Sequence, residues 1–243
     1  MILLRSAPKP AGPPADDIRR MFDRISPTYD LCNSLLSLGM DRRLRKAAVR
    51  LARLPEDGRL LDLCTGTGDL ALAARQMHPR AQVVGVDFAG RMLSRAHTKA
   101  AGKRIGLVQG DCLQLPLPDA SFDAVTIAWG LRNLVDLGAG LREMARVLRK
   151  GGRLVVLEFS GHRSELPRRA FGAAFGLHSR LVGLIALRGG RAYSYLPESI
   201  DRFPSVDELS SLIGECGFEL ESVNRRVLGC LCAHVAVKLQ RDA

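Results

Sequence analysis

The sequence predicts an α/β protein built on an open seven-stranded sheet with an antiparallel end. Three observations carry that prediction. Between residues 58 and 160, short apolar runs alternate with stretches of helical periodicity, the pattern of β/α units on a parallel sheet. A Gly-rich turn, Thr65-Gly-Thr-Gly68, closes the first of those runs. Two further apolar runs near the end are joined by only a few residues, so they pair antiparallel.

Residues 59–64 read as a buried strand, followed by the Gly-rich turn and a helix over 69–77. A second strand covers 82–87, a helix 92–101, and a third strand 105–109. The fourth strand spans 122–128, and a helix over 138–148 is stopped by Lys150-Gly-Gly152, as glycines past a helix end tend to do. The fifth strand is 153–159; a helix over 206–216 then leads to strands at 218–225 and 229–238.

Residues 1–15, Pro-rich and polar after one short apolar run, read as a flexible tail without the features of a secretory signal. Residues 16–243 form one domain. It divides into a helical N-terminal cap (16–57), a cofactor-binding core (58–160), an amphipathic segment (161–204), and a C-terminal helix with antiparallel strands (205–243). In the third part Leu166, Ala170, Ala173, Leu177, Leu181 and Leu184 recur at three- and four-residue spacing. That spacing fits a helix packed on the core. It also fits a lid over an apolar ligand, laid on an anionic membrane surface through Arg163, Arg168, Arg169, Arg180, Arg188 and Arg191.

The chain has 243 residues, 47% of them apolar, enough for a sizeable core. Its longest apolar run, near residues 181–187, is far short of a bilayer span. The net charge is +11, and its densest excess falls on 161–204, with 7 basic and 3 acidic side chains. Such a face suits anionic lipid or nucleic acid, and charge alone does not choose. Cys32, Cys64, Cys112, Cys216, Cys230 and Cys232 show no ligand-like spacing and read as reduced structural thiols, with no metal.

Ligands of open α/β sheets bind beyond the carboxyl ends of the strands. The first such end reads Asp62-Leu-Cys-Thr-Gly-Thr-Gly-Asp69, where Gly66 and Gly68 let the backbone turn tightly and approach a ligand. Gly66-x-Gly68-x-x-Ala71 also satisfies a dinucleotide fingerprint, which leaves a nicotinamide or flavin enzyme as a rival. The acids count against it: Asp62 and Asp69 would repel a pyrophosphate, whereas S-adenosylmethionine carries a sulfonium and an ammonium. Asp87, 21 residues after Gly66, is placed to take both ribose hydroxyls; Asp111 with Cys112 is placed to meet the adenine amino group. Phe88 and Met92 offer apolar contact to the adenine faces, and Thr67 completes the loop.

The chain resembles the ubiquinone/menaquinone biosynthesis C-methyltransferase family over residues 21–238. The segments that carry the resemblance are Met21-Phe-Asp-Arg-Ile-Ser-Pro-Thr-Tyr-Asp30, Leu36-Ser-Leu-Gly39, Leu61-Asp-Leu-Cys-Thr-Gly-Thr-Gly-Asp-Leu70 and Leu115-Pro-Leu-Pro-Asp119. Narrower still are Trp129-Gly-Leu-Arg-Asn133, Leu157-Glu-Phe-Ser160 and Tyr193-Ser-Tyr-Leu-Pro-Glu-Ser-Ile200. The resemblance implies a Rossmann-like class I fold of S-adenosylmethionine-dependent methyltransferases. It implies S-adenosylmethionine as methyl donor, and a reduced isoprenoid quinone whose ring carbon receives the methyl. It further implies Arg132 as the catalytic residue, which by its high pKa suits oxyanion stabilisation and orientation of a water better than proton transfer. Asn133 would hydrogen-bond a ring oxygen, and Tyr29, Tyr193 and Tyr195 would supply rings with polar tips to the quinol pocket. His234 is either a substrate-side residue or a satisfied structural histidine.

Many relatives carry Ser and then Phe or Tyr where this chain has Ala128 and Trp129, so a hydroxyl contact from position 128 is absent. The Cys-Thr-Gly-Thr-Gly loop favours demethylmenaquinol over a benzoquinol as substrate. A nucleic-acid methyltransferase is the rival enzyme, but no Asn/Asp-Pro-Pro-Tyr/Phe motif follows the fourth strand, and nucleic acid is not the expected partner. A non-catalytic scaffold is the other rival, and the intact Asp62, Gly66, Gly68 and Asp87 speak against it. The protein is expected in the cytoplasm, reversibly and salt-sensitively associated with the inner face of the membrane; a homo-oligomer stays open.

Overall fold

Short strands buried on both faces set the centre of the molecule. The computed structural model describes residues 13–159, 176–179, 182, 190–226, 229 and 231–240, with backbone alone at 190–194. Residues 1–12, most of the amphipathic segment with its arginines, and Cys230 lie outside the described residues. The N-terminal part forms α1 (Ala15–Ile25), α2 (Tyr29–Leu36) and α3 (Asp41–Leu51). There follow β1 (Arg59–Leu63), α4 (Asp69–Met77), β2 (Gln82–Asp87), α5 (Gly90–Ala100), β3 (Ile105–Gln109) and β4 (Phe122–Ala128). Then come α6 (Leu137–Val147), β5 (Leu148–Phe159), α7 (Gly190–Arg202), α8 (Val206–Glu215), β6 (Phe218–Arg226) and β7 (Leu231–Lys238).

The seven strands lie in the order β3-β2-β1-β4-β5-β7-β6, with β7 antiparallel to both of its neighbours. The order reverses between β1 and β4, which opens a crevice beyond their carboxyl ends. Successive residues of β1 point to opposite layers. Leu61 and Leu63 join Val125 and Ile127 under Leu141 and Met144 of α6 and Leu209 and Ile213 of α8. Leu60 joins Val83, Ala124 and Val155 against Leu70, Ala71 and Ala74 of α4.

One helix packs where its place in the chain does not announce, and one boundary differs from the one the sequence suggests. Ala48 and Val49 of α3 pack into the same layer as α4, so this helix belongs to the sheet's packing although it precedes the first strand. The expected glycine stop at 150–152 lies inside β5, which starts at Leu148 by pairing with Phe122. Gly151, at φ +74°, takes up the extra residues in a bulge where the register shifts between Phe122 and Ala124.

Candidate active site

The two turns that leave β1 and β4 pack directly on each other. Cys64 and Trp129, the first residues past those strands, both sit in the left-handed region, at φ +50° and +55°. A Cβ on Gly130 would lie 2.3 Å from the Cβ of Cys64, so only glycine fits between the turns. Gly66 and Gly68 are also left-handed, at φ +57° and +84°, and Gly68 is the N-cap of α4. The strained turns bring backbone to the crevice floor, where a side chain would fill it.

At the end of β2, Asp87 uses both carboxylate oxygens. Oδ2 accepts from Gly66 N at 2.8 Å and Oδ1 from Ala89 N at 2.9 Å. Burial nevertheless pushes its pKa up to about 6. Asp111 Oδ1 accepts from Leu113 N at 2.9 Å, and Cys112 Sγ lies 3.6 Å from Cys64 Sγ. Gly66, Asp87, Phe88, Met92, Asp111 and Cys112 therefore line one crevice, with Phe22 of α1 and Tyr29 of α2 closing it. That crevice is narrow, about 60 Å³.

Asp62 lies behind the Gly loop, buried, accepting from Thr65 Oγ1 at 2.6 Å and Thr126 Oγ1 at 3.0 Å. Burial raises its pKa to about 7. Thr67 and Asp69 turn instead toward the N-terminal helices. The Thr67 hydroxyl donates to Asp30, and Lys99 bridges Asp30, Thr67 and Asp69. The sequence places Asp69 beside a cationic ligand; in the fold its carboxylate pairs with Lys99, because α5 and α2 meet at the start of α4.

Beyond the crevice lies an apolar cavity of about 420 Å³. Phe22, Leu36, Leu44, Phe159 and Leu196 supply apolar walls; Arg132 and Tyr195 bring polar groups. Phe22, Tyr29 and Trp129 line both spaces, and the two larger polar-tipped rings, Tyr29 and Trp129, stand in the partition between them. Arg132 Nη1 donates to Trp129 O and to Glu158 Oε1, each at 2.7 Å. Glu158 is 1% exposed, and burial raises its pKa against the opposing pull of Arg132. Tyr195 donates its phenol proton to Asn133 Oδ1 at 3.0 Å, and Asn133 faces the crevice. Burial raises both phenols, Tyr29 and Tyr195. The side chain of Tyr193 lies outside the described residues. His234 packs under α8, with Nε2 3.3 Å from Val206 O, and lines neither space.

Three contributors carried no role in the sequence. Arg45 is buried, ion-paired to Asp41, and its guanidinium lies 5.1 Å from the Trp129 ring centroid. Its only sequence signal is the four-residue spacing from Asp41, common on exposed helices. Phe22 reads as an ordinary apolar residue. Glu158 stands in a family-like segment, yet nothing local says that it meets Arg132.

The residues fit S-adenosylmethionine. Two buried carboxylates with raised pKa values stand at or behind a crevice whose described lining carries no Lys or Arg. Ribose hydroxyls and a cationic ligand compensate such carboxylates; a pyrophosphate does not. Among the described residues no cluster of His, Cys, Asp and Glu is grouped to hold a metal ion.

The family model described as "ubiE/COQ5 methyltransferase family" matches residues 14–238. A ubiquinone/menaquinone biosynthesis C-methyltransferase UbiE from Geobacter sulfurreducens is 47% identical over 206 residues, covering 83% of this chain and 80% of its own. A demethylmenaquinone methyltransferase from Thermus thermophilus is 47% identical over 207 residues, covering 82% and 92%. Among solved structures, a SAM-dependent methyltransferase from Aquifex aeolicus superposes with a TM-score of 0.57 at 18% identity, covering 76% of this chain and 85% of that one. At that identity the likeness is one of fold: a Rossmann-like, class I methyltransferase sheet.

Proposed function

The chain belongs to the ubiE/COQ5 methyltransferase family, whose members transfer a methyl from S-adenosylmethionine, and from this we propose that it methylates a ring carbon of demethylmenaquinol. The observation that carries the reading is the partition at Tyr29 and Trp129, with an acid-lined crevice on one side and a large apolar cavity on the other. An aromatic ring with an isoprenoid tail suits the cavity, which offers apolar walls and two guanidiniums, Arg132 and Arg45, the latter ion-paired to Asp41.

When bound, S-adenosylmethionine supplies an electrophilic methyl on its sulfonium. The residues of the chain prepare the other partner. Asp87 and Asp111 would hold the crevice ligand through its hydroxyl and amino groups. Arg132 spends Nη1 on Glu158 and on the Trp129 carbonyl, which leaves the rest of its guanidinium for a quinol oxygen. A positive charge there lowers the pKa of the hydroxyl, whose proton passes to a water oriented by Arg132, and stabilises the oxyanion that makes the ring carbon nucleophilic. Asn133, held by Tyr195, offers its amide to a second ring oxygen. The apolar walls exclude bulk water, which strengthens the electrostatic contact at Arg132.

Such a substrate lives in a bilayer, and the net charge of +11 supports reversible association with an anionic membrane surface. None of the helices among the described residues is long and apolar enough to cross a membrane.

The test is a transfer assay with methyl-deuterated S-adenosylmethionine and two chemically reduced acceptors, a demethylmenaquinol and a demethylated benzoquinol. Labelled methyl on the naphthoquinol ring alone is expected. Labelling of both means a dual enzyme, and labelling of neither, with cofactor binding intact, overturns the quinol reading.

A further inference from the structure

The loop between α2 and α3 carries an expensive arrangement. Leu38 lies in the left-handed region at φ +50°, a conformation hard for Leu and free for Gly, and the residue is 78% exposed. It has apolar company. Of the five strongly exposed large apolar side chains among the described residues, Leu31, Leu38, Met40 and Leu177 belong to α2, to this loop and to the turn beside it. That helical turn, residues 176–179, is tied to the end of α2 by His178 Nε2, 3.2 Å from Leu35 O. Leu38 and Met40 also line the apolar cavity, so the exposed rim is the cavity's mouth.

Charge is placed as unusually as the apolar residues. The solvent face of α3 carries Arg42, Arg43, Lys46 and Arg50, with no acid on that face. Arg42 and Arg43 lie in the first turn, where the helix dipole already presents positive charge and a basic residue is unfavourable. Among the described residues neither has an ion-pair partner. Exposed Leu and Met beside bases set against a helix N-terminus make sense with an apolar phase next to a layer of anions.

We propose that this rim docks on an anionic lipid bilayer, with Leu38, Met40 and Leu177 entering the acyl boundary and Arg42, Arg43 and Lys46 on the headgroups. The inference deepens the quinol reading and rests on it for its purpose: a tailed substrate passes from bilayer to cavity through the mouth without crossing water. The chemistry of the rim picks the bilayer over a protein partner, because the apolar tips of the loop, Leu38 and Met40, are followed at once by exposed bases in the first turns of α3, as at interfacial anchors.

The experiment sediments the full-length protein with vesicles of phosphatidylglycerol and phosphatidylcholine in equal parts, and with phosphatidylcholine alone. Wild type is expected to bind the anionic vesicles and to be released by salt. The Arg42→Glu/Arg43→Glu variant, whose new acids suit a helix N-terminus, loses about tenfold or more in vesicle binding. Its turnover of a short-tailed, water-soluble quinol without vesicles stays at the wild-type level. Leu38→Gly removes the apolar tip while relieving the backbone; it melts no lower than wild type yet binds vesicles more weakly. Equal vesicle binding by wild type and the Arg variant overturns the proposal. So does a concentration-dependent dimer that Leu38→Gly abolishes, which assigns the rim to a second copy. Absence of turnover of the short-tailed quinol by wild type would sink the quinol reading alone, since vesicle binding is measured without substrate.

Discussion

Glu158 Oε1 accepts from Arg132 Nη1 at 2.7 Å, and the residue is buried, with only 1% exposure. Phe159 N donates to the same oxygen at 2.9 Å, so Glu158 is held from two sides and holds Arg132 in turn. Glu158→Gln keeps the shape but leaves a buried guanidinium without its counter-charge. Loss of one partner of a buried pair costs about 3–5 kcal/mol, so the melting temperature falls. At temperatures where the variant is folded, kcat is expected to drop by roughly tenfold to a hundredfold through misplacement of Arg132. The dissociation constant for S-adenosylmethionine stays within about twofold, because Glu158 does not line the crevice. An unchanged kcat in the folded variant would remove Glu158 as a positioning residue.

Cofactor affinity should follow the protonation of Asp87. Its pKa of about 6 is raised by burial, and hydroxyl donors need the ionised form. Affinity is therefore full above pH 6 and falls toward about tenfold per pH unit below it. Titration calorimetry at several values between pH 5 and 8 reads this directly, and Asp87→Asn should bind weakly with a flatter profile. A constant affinity for wild type across that range would contradict the assignment.

Asp62 makes the opposite kind of statement, about stability. Its pKa of about 7 in the fold stands above the ordinary 3.8, so the folded state binds the proton more tightly than the unfolded chain. Stability without ligand is greatest below about pH 4 on this account and declines as pH rises toward 7, by a few kcal/mol at most. Asp62→Asn removes that penalty, while the Thr65 and Thr126 hydroxyls turn to pair with the amide. The variant should melt above wild type at pH 8 and gain nothing at pH 4. Equal melting temperatures at pH 8 would count against the buried ionised Asp62.

Gly130→Ala tests the contact between the two turns. The added Cβ would meet Cys64 Cβ at 2.3 Å, with backbone behind both, so the turns must part. A loss of roughly 1–3 kcal/mol is expected from such overpacking, together with weakened cofactor binding, read by denaturant unfolding and calorimetry. Wild-type stability would show that the turns can slide apart freely.

The crevice measures about 60 Å³, against about 300 Å³ or more for an open ligand pocket. The walls that can yield are those supplied by Ala15 and Phe22 of α1. Binding of S-adenosylmethionine should therefore change hydrogen exchange in α1 far more than in α6, which packs beneath the sheet. A uniform response across both helices would point to a crevice that opens elsewhere.

Most of the sheet was legible because its signals are local. The runs at residues 82–87, 105–109 and 122–128 coincide with β2, β3 and β4; β2 and β4, inside the sheet, read as largely apolar segments, and the edge strand β3 as a short apolar run between turn residues. The start of β5 was misread for an equally local reason: glycines at 151 and 152 mark a helix stop or a bulge with the same letters. In the N-terminal part, the helical pattern of α3 was visible, but its place in the sheet's layer was not, because Ala48 and Val49 carry no label for what they pack against.

The sequence by itself determined the strands, the left-handed glycines of the cofactor loop and the acids at successive strand ends, all of which depend on residues near in the chain. Tertiary structure alone decided which charges meet. Asp69 turned to Lys99, Arg45 to the Trp129 ring, and Glu158 to Arg132, across separations of tens of residues. Tertiary structure also gathered Leu31, Leu38, Met40 and Leu177 into one exposed rim. Periodicity reports which face of an element is apolar; which element that face meets is set by strand order and by the closing of long loops, and spacing along the chain holds no record of either.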